Sequence, residues 1–199
     1  MTFRPRTRTT TAALLAALAL STLVLAGCSA VPESTTAAEK YCLDKGGEVQ
    51  TRQPTFGTNN DEASWVELGE PIQVCRFQTL DDDAKSRIYV DLVTLSSPKP
   101  TLAALAYLAK APMPDDVTGN PATALCTSLG GASSYGAGAN GGGLVTKDDP
   151  DDVVFTPCVF ADQSFIEEWG IAYYSDGTVR GIDLATVFNF DTADIPSVF

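Results

Sequence analysis

Four cysteines recur in this chain at a near-constant interval, and that interval limits the fold more than any other feature. Cys42 and Cys126 lie 84 residues apart, and Cys75 and Cys158 lie 83 apart. The surroundings repeat as well. Each first cysteine follows a helix-start residue, Thr36 or Asn120, by six positions, and after three intervening residues comes Gly46-Gly47 or Gly130-Gly131. Cys75-Arg76-Phe77 parallels Cys158-Val159-Phe160, and Leu102-Ala103-Ala104-Leu105 parallels Leu184-Ala185-Thr186-Val187 at an offset of 82. Counted from the phenylalanine, Ile88-Tyr89-Val90-Asp91-Leu92 aligns with Ile171-Ala172-Tyr173-Tyr174-Ser175. An offset that drifts so little implies tandem duplication of a unit of roughly 80 residues.

Each unit has the same plan of short helix, strand, loop, cysteine-bearing strand, turn, strand and short helix. Thr36-Ala37-Ala38-Glu39 is a capping box, and Asn120-Pro121 pairs a cap with proline at the first helical position. Alternation in Glu48 to Thr51 and Ile72 to Val74, and the β-branched and aromatic content of Ile88 to Leu95, predict strands. Thr101 to Lys110, bounded by Pro100 and Pro112, predicts the clearest helix. Ser164 to Glu167 reads as a further capping box, Ile171 onward as a strand-like run, and Tyr174 to Thr178 as a hairpin turn. The expected fold class is α+β: two similar small modules, each a short helix packed on an antiparallel sheet. Repetition favours Cys42–Cys75 and Cys126–Cys158 as one disulfide per module; pairing between modules is the alternative. By chain entropy such a closure contributes about 3–4 kcal/mol.

The chain opens with Arg4, Arg6 and Arg8 followed by an apolar run to Ala26, the layout of a secretory signal. The run closes in Leu25-Ala26-Gly27-Cys28, which resembles the lipobox of bacterial lipoproteins. That resemblance implies cleavage before Cys28 and a diacylglycerol on its sulfur. The expected organisation is a signal peptide at 1–27, a tether at 28–36, a first module at 37–110, a linker at 111–119 and a second module at 120–199. Removing the first 27 residues takes away three arginines and no acid, so the net charge moves from −12 to −15. A chain this acidic repels phosphates and anionic headgroups, so nucleic-acid binding is not expected and membrane attachment should come from the lipid. Four remaining cysteines suit an exported, disulfide-bonded chain. The absence of histidine excludes Ser-His-Asp and Cys-His catalytic sets and histidine-ligated zinc.

Asn120-Pro121-Ala122, Cys126, Gly130-Gly131, Cys158-Val159-Phe160 and Glu167-Glu168-Trp169, in that order, resemble a family of small bacterial exported domains of unknown function that carries a hemolysin label. The match covers Asn120 to Trp169. The chain departs from the family pattern at Asp162-Gln163-Ser164, where a glycine is usual, and in a longer loop between Gly131 and Cys158. The first module lacks both the Asn-Pro-Ala start and the Glu-Glu-Trp motif. The resemblance implies an exported fold unit and brings no activity with it.

Asp162, Glu167, Glu168, Trp169 and Tyr173 are the candidate ligand-binding residues, since aromatic faces beside carboxylates suit a cationic or sugar ligand. Gly136 to Gly141 spells a dinucleotide fingerprint without the strand–helix context that gives it meaning, and reads as a loop. The clusters Asp81-Asp82-Asp83, Asp115-Asp116 and Asp148 to Asp152 read as solvated loop charge, without the spacing of a calcium loop. No metal site, cofactor or catalytic residue is expected. The sequence reads as a membrane-anchored, extracytoplasmic, non-catalytic binding module whose partner is an envelope protein or small ligand. The alternatives are a protease inhibitor presenting Thr55 to Asn59 and a carboxylate-based extracellular hydrolase.

Overall fold

Helix-start chemistry sets the first element. In the computed structural model, which describes residues 35–79, 85–133 and 138–195, the Thr36 hydroxyl accepts from Glu39 N at 3.1 Å. The Glu39 carboxylate accepts in turn from Thr36 N. This box starts α1 (Ala37–Asp44), which ends where Gly46 takes a left-handed φ of 83°. Asn120 caps α4 (Pro121–Ser128) in the same way, accepting from Ala122 N at 2.9 Å with Pro121 in the first turn. Thr101 caps α3 (Leu102–Ala109). The signal segment with Cys28, the Asp81-Asp82-Asp83 cluster, and Gly136-Ala137 of the glycine-rich hexapeptide lie outside the described residues.

The strands are β1 (Glu48–Phe56), β2 (Val66–Glu67), β3 (Ile72–Gln78), β4 (Arg87–Asp91), β5 (Gly142–Val145), β6 (Val154–Phe155), β7 (Pro157–Val159) and β8 (Phe165–Glu167). They form one antiparallel sheet in the order β6-β5-β1-β3-β4-β8-β7, with β2 also on β1. The fold is α+β, and the disulfides are Cys42–Cys75 and Cys126–Cys158.

The pairing register shows how the two halves relate. Cys75 pairs with Val90 and Cys158 pairs with Ile166, and Val90 then pairs with Ile166. Each is the partner of its own half's cysteine, so the duplication meets itself at β4 and β8, about an approximate two-fold axis through that pair. Glu48 opposite Arg76 likewise matches Ala132 opposite Val159.

This register corrects the alignment of Ile88–Leu92 with Ile171–Ser175. The counterpart of β4 is β8, while Ile171–Ser175 lies in α5 (Glu168–Ser175). Fewer residues separate β7 from β8 than separate β3 from β4, and α5 is longer than its counterpart α2 (Leu92–Ser96). Residues lost in the turn are regained beyond the strand, which returns the offset to 82 at Leu184. Two more readings change for the same reason. Ile88–Leu95 is a strand only to Asp91, whose side chain accepts from Thr94 N at 2.8 Å and turns the chain into α2. Asp176-Gly177 closes α5 rather than a hairpin, with Gly177 at φ 83° and Thr178 N bonded to Tyr173 O at 2.8 Å. Ser164 caps nothing of its own: its hydroxyl accepts from Ala103 N at 3.0 Å, tying the turn before β8 to α3 of the other half.

One face of the sheet carries the helices and the larger core, to which both halves contribute. Phe77, Ile88, Val90, Leu95 and Tyr107 pack with Leu125, Ile166, Ile171, Leu184 and Phe188 around both disulfides. Alternation sends Val74, Tyr89, Leu144, Phe155 and Phe165 to the opposite face. The Gly-Gly pairs now have two jobs. Gly130, like Gly46, is left-handed and ends its helix. A Cβ on Gly47 would stand 2.4 Å from Cys75 Sγ, and one on Gly131 would stand 2.4 Å from Cys158 Sγ, so the second glycine makes room for the disulfide.

On the second face Arg52 is fully buried. Its guanidinium lies over the Tyr89 and Phe155 rings at 4.5 and 4.8 Å. It donates to Asp149 Oδ2 at 3.1 Å, Gln50 Oε1 at 2.9 Å and the Asp152 carbonyl at 2.9 Å. Burial alone would raise the Asp149 pKa, but hydrogen bonds from Tyr89 and Gln50 and the charges of Arg76 and Arg52 hold it below the usual carboxylate range. The 148–152 cluster is therefore not simply solvated charge. Asp149 is the counter-ion of a buried arginine, and Asp152 pairs with Arg87 at 3.1 Å.

Candidate functional site

The stretch from Ser164 to Ser175 places all but one of the sequence-nominated residues, and it sends them in different directions. β8 passes into α5 at Glu167, so two adjacent glutamates leave the backbone on opposite sides of the strand–helix junction.

Glu168, only 2% exposed, turns towards α4. It accepts from Asn120 Nδ2 at 2.9 Å, Thr123 Oγ1 at 3.0 Å and Ser133 Oγ at 2.8 Å. Desolvation raises its pKa, and hydrogen bonds from Ser133, Thr123 and Asn120 oppose the rise. These neutral donors satisfy the buried carboxylate and clamp α5 to α4. The Asn-Pro-Ala start and the Glu-Glu-Trp motif, nearly fifty residues apart in sequence, thus meet through one hydrogen bond.

Glu167 turns the other way. Its Oε1 lies 3.4 Å from Arg180 Nη1, and its buried Oε2 has no hydrogen-bond partner among the described residues. Burial pushes the carboxyl up to about 7, with Asp152 and Glu168 adding to the rise and Arg180 and Arg87 opposing it.

Asp162 sits at the start of α3, accepting from Leu102 N at 2.8 Å and from Ser164 Oγ at 2.5 Å. Burial favours its neutral form, but the Leu102 and Ser164 bonds outweigh it and hold the pKa low. Trp169 and Tyr173, one helical turn apart, form a surface pair on the outer side of α5 with ring centroids 5.6 Å apart. Arg180 covers the Tyr173 ring at 5.1 Å. The structure therefore brings together Trp169 and Tyr173, buries Glu167 and Glu168 separately, and places Asp162 in a helix cap.

The residues beside Glu168 were legible only in part. Asn120 reads as a helix cap from sequence, and nothing local marks Thr123 or Ser133 as partners of a distant glutamate. Asn120 and Thr123 also line a cleft of about 680 Å³, together with Thr58, Asn59, Gly141 and Thr156. Among the described residues no charged side chain lines this cleft, which presents hydroxyls, amides, glycine backbone and the apolar Ala124 and Val154. A second cleft, of about 400 Å³, opens beside Trp65 on the distal part of β1.

Two other sequence features take structural roles. Thr55 and Phe56 belong to β1, and Gly57 N and Asn59 N donate to Gly141 O at 3.1 Å and Asn140 O at 2.9 Å. Thr55 to Asn59 is thus pinned to the neighbouring segment and does not project as a free loop. Gly138 to Gly141 is a turn leading into antiparallel β5, not a strand-to-helix crossover. No family model, no curated protein and no solved structure matches the chain.

Proposed function

We propose that this chain is a lipid-anchored, extracytoplasmic binding module without catalytic activity. The observation that carries the reading is the pair of core disulfides, one in each half, each packed against a glycine that has room for nothing else. A core built around cystine needs an oxidising compartment, and the Leu25-Ala26-Gly27-Cys28 pattern supplies a route there and an anchor. The proposal includes kinship with the hemolysin-labelled exported domains. The Asn120–Glu168 bond supports it by giving two separated motif elements a shared structural purpose.

The non-catalytic part rests on the carboxylates. Hydrolysis by a carboxylate pair needs both groups facing one substrate cleft. Glu167 and Glu168 are buried on opposite sides of one backbone junction, and Asp162 is committed to a helix start. The partner is an envelope protein or a small ligand, reached by a domain whose acidity keeps it clear of nucleic acid and anionic lipid.

Intact mass spectrometry and labelling with a palmitate analogue test the anchor. The mature protein is expected to begin at Cys28, to carry the mass of a diacylglycerol and to take up the label. Cys28→Ser is expected to lose the label and to accumulate uncut precursor. An unlipidated wild-type chain, or one isolated with four free thiols beyond Cys28, would overturn the proposal.

A further inference from the structure

β1 is longer than its pairing with β3 requires. Glu48–Arg52 pairs with β3, while Gln53–Phe56 runs on between β5 and β2. Alternation puts Thr51 and Gln53 on the same face as Val49, which packs against the main core. Beyond that core this face becomes the floor of the 400 Å³ cleft, a volume within the ~300–1,000 Å³ range of small-ligand sites.

Trp65 forms one wall. Its indole Nε1 donates to Asn60 O at 3.0 Å, and its backbone N donates to Glu62 O at 3.1 Å. The ring is therefore held in place by its edge, half-buried, while it lines the cleft. Glu62 and Glu67 stand beside it, and Lys147 comes from the end of β5. Lys147 Nζ donates to Glu62 Oε1 at 2.5 Å. That bond and the Glu62 charge raise the lysine's pKa, and Glu67 adds to the effect.

These charges decide the ligand class. Lys147 already pairs with Glu62 at the cleft, so a free amine would compete with it for that carboxylate. An anion would meet two carboxylates on a chain of net charge −12. A neutral polyol meets neither obstacle. The apolar C–H face of a sugar ring suits an aromatic wall, and its hydroxyls can donate to Glu62 or Glu67 and accept from Lys147 or Thr51. We infer that the Trp65 cleft binds a neutral saccharide. This rests on the binding-module reading and names its ligand class.

The chain has two tryptophans, so Trp169→Phe leaves Trp65 as the sole indole reporter. Fluorescence titration of that variant with chitotriose and with cellotriose separates an N-acetylhexosamine source from a plain hexose source. Spermine and trigalacturonate serve as the cationic and anionic probes. The expected result is a saturable emission shift with at least one neutral trisaccharide and none with the charged probes. Calorimetry of Trp65→Ala should show at least a tenfold loss of affinity while the variant keeps a cooperative unfolding transition. No saturable shift with either neutral sugar, or tighter binding of spermine, overturns the inference. Pelleting of the detergent-solubilised full-length protein with membrane-free cell wall separates the two levels. Equal pelleting of wild type and Trp65→Ala, without titration by sugar, refutes the cleft and leaves the module standing. Neither pelleting nor titration refutes both.

Discussion

Replacing Glu167 by glutamine isolates a single buried proton. Glu167 is 5% exposed, its Oε2 lacks a hydrogen-bond partner among the described residues, and Arg180 reaches only the other oxygen, at 3.4 Å. Burial, with Asp152 and Glu168 adding to it and Arg180 and Arg87 opposing it, lifts the pKa from 4.5 to about 7. Between those values the native chain keeps a proton that the unfolded chain has released. The group's contribution is therefore fully favourable below pH 4.5 and is lost as pH rises through 7. At ~1.4 kcal/mol per pKa unit, the loss comes to roughly 3 kcal/mol by pH 8. For a domain of this size that corresponds to about 6–12 °C in melting temperature. Glutamine mimics the protonated acid, so Glu167→Gln should match wild type near pH 4 and exceed it by roughly 3 kcal/mol at pH 8 in urea denaturation. Asp91 and Glu168, whose pKa values burial raises, and Asp149 and Asp162, whose values their hydrogen bonds lower, are common to both proteins. Subtracting the two curves removes most of their effect. A difference that stays flat from pH 5 to 8 would refute the reasoning. A variant less stable than wild type at pH 8 would show that Arg180 favours the ionised Glu167 by more than burial disfavours it.

Two further substitutions probe the duplicated frame. Gly47→Ala and Gly131→Ala should each destabilise the protein by about 1–3 kcal/mol, because both place a Cβ 2.4 Å from a disulfide sulfur. Equal penalties in denaturant melts would reflect the shared geometry, and a neutral substitution at either position would show that the sulfur has room to move. Arg52→Met removes one of the two arginines paired with buried Asp149, leaving Arg76 Nε at 3.3 Å, and should cost about 3 kcal/mol, the low end for a broken buried pair. The double variant Arg52→Met/Asp149→Leu should recover much of that loss. A double variant no more stable than the single one would place the arginine's value in its stacking on Tyr89 and Phe155.

Features whose causes lie within a few residues were legible in the linear text. The Thr36 and Asn120 caps, the Gly46 and Gly130 helix ends and the alanine-leucine helix from Leu102 all depend on local backbone chemistry. The disulfides could be paired because duplication repeats its own connections. The stretch at Ile171 was misread because its β-branched and aromatic residues suit a strand. Its helical period appears only once Trp169 and Tyr173 are seen facing outward while Glu168 and Ile171 are buried. The nominated ligand group suffered similarly. Glu167 and Glu168 are neighbours on paper, yet a strand-to-helix junction between them sends one towards Arg180 and the other towards Asn120.

The sequence alone was sufficient for the class of fold, the repeat and the two sulfur bridges, because each rests on residue type at short or repeated spacing. Only the folded chain could show that the halves join edge to edge at Val90 and Ile166, that Asp149 neutralises a buried arginine, and that Trp65 walls a cleft. Those facts depend on which distant strands become neighbours. That choice is made by the pooled core and the sheet's hydrogen bonds, which act across the whole chain and leave no mark in any one segment.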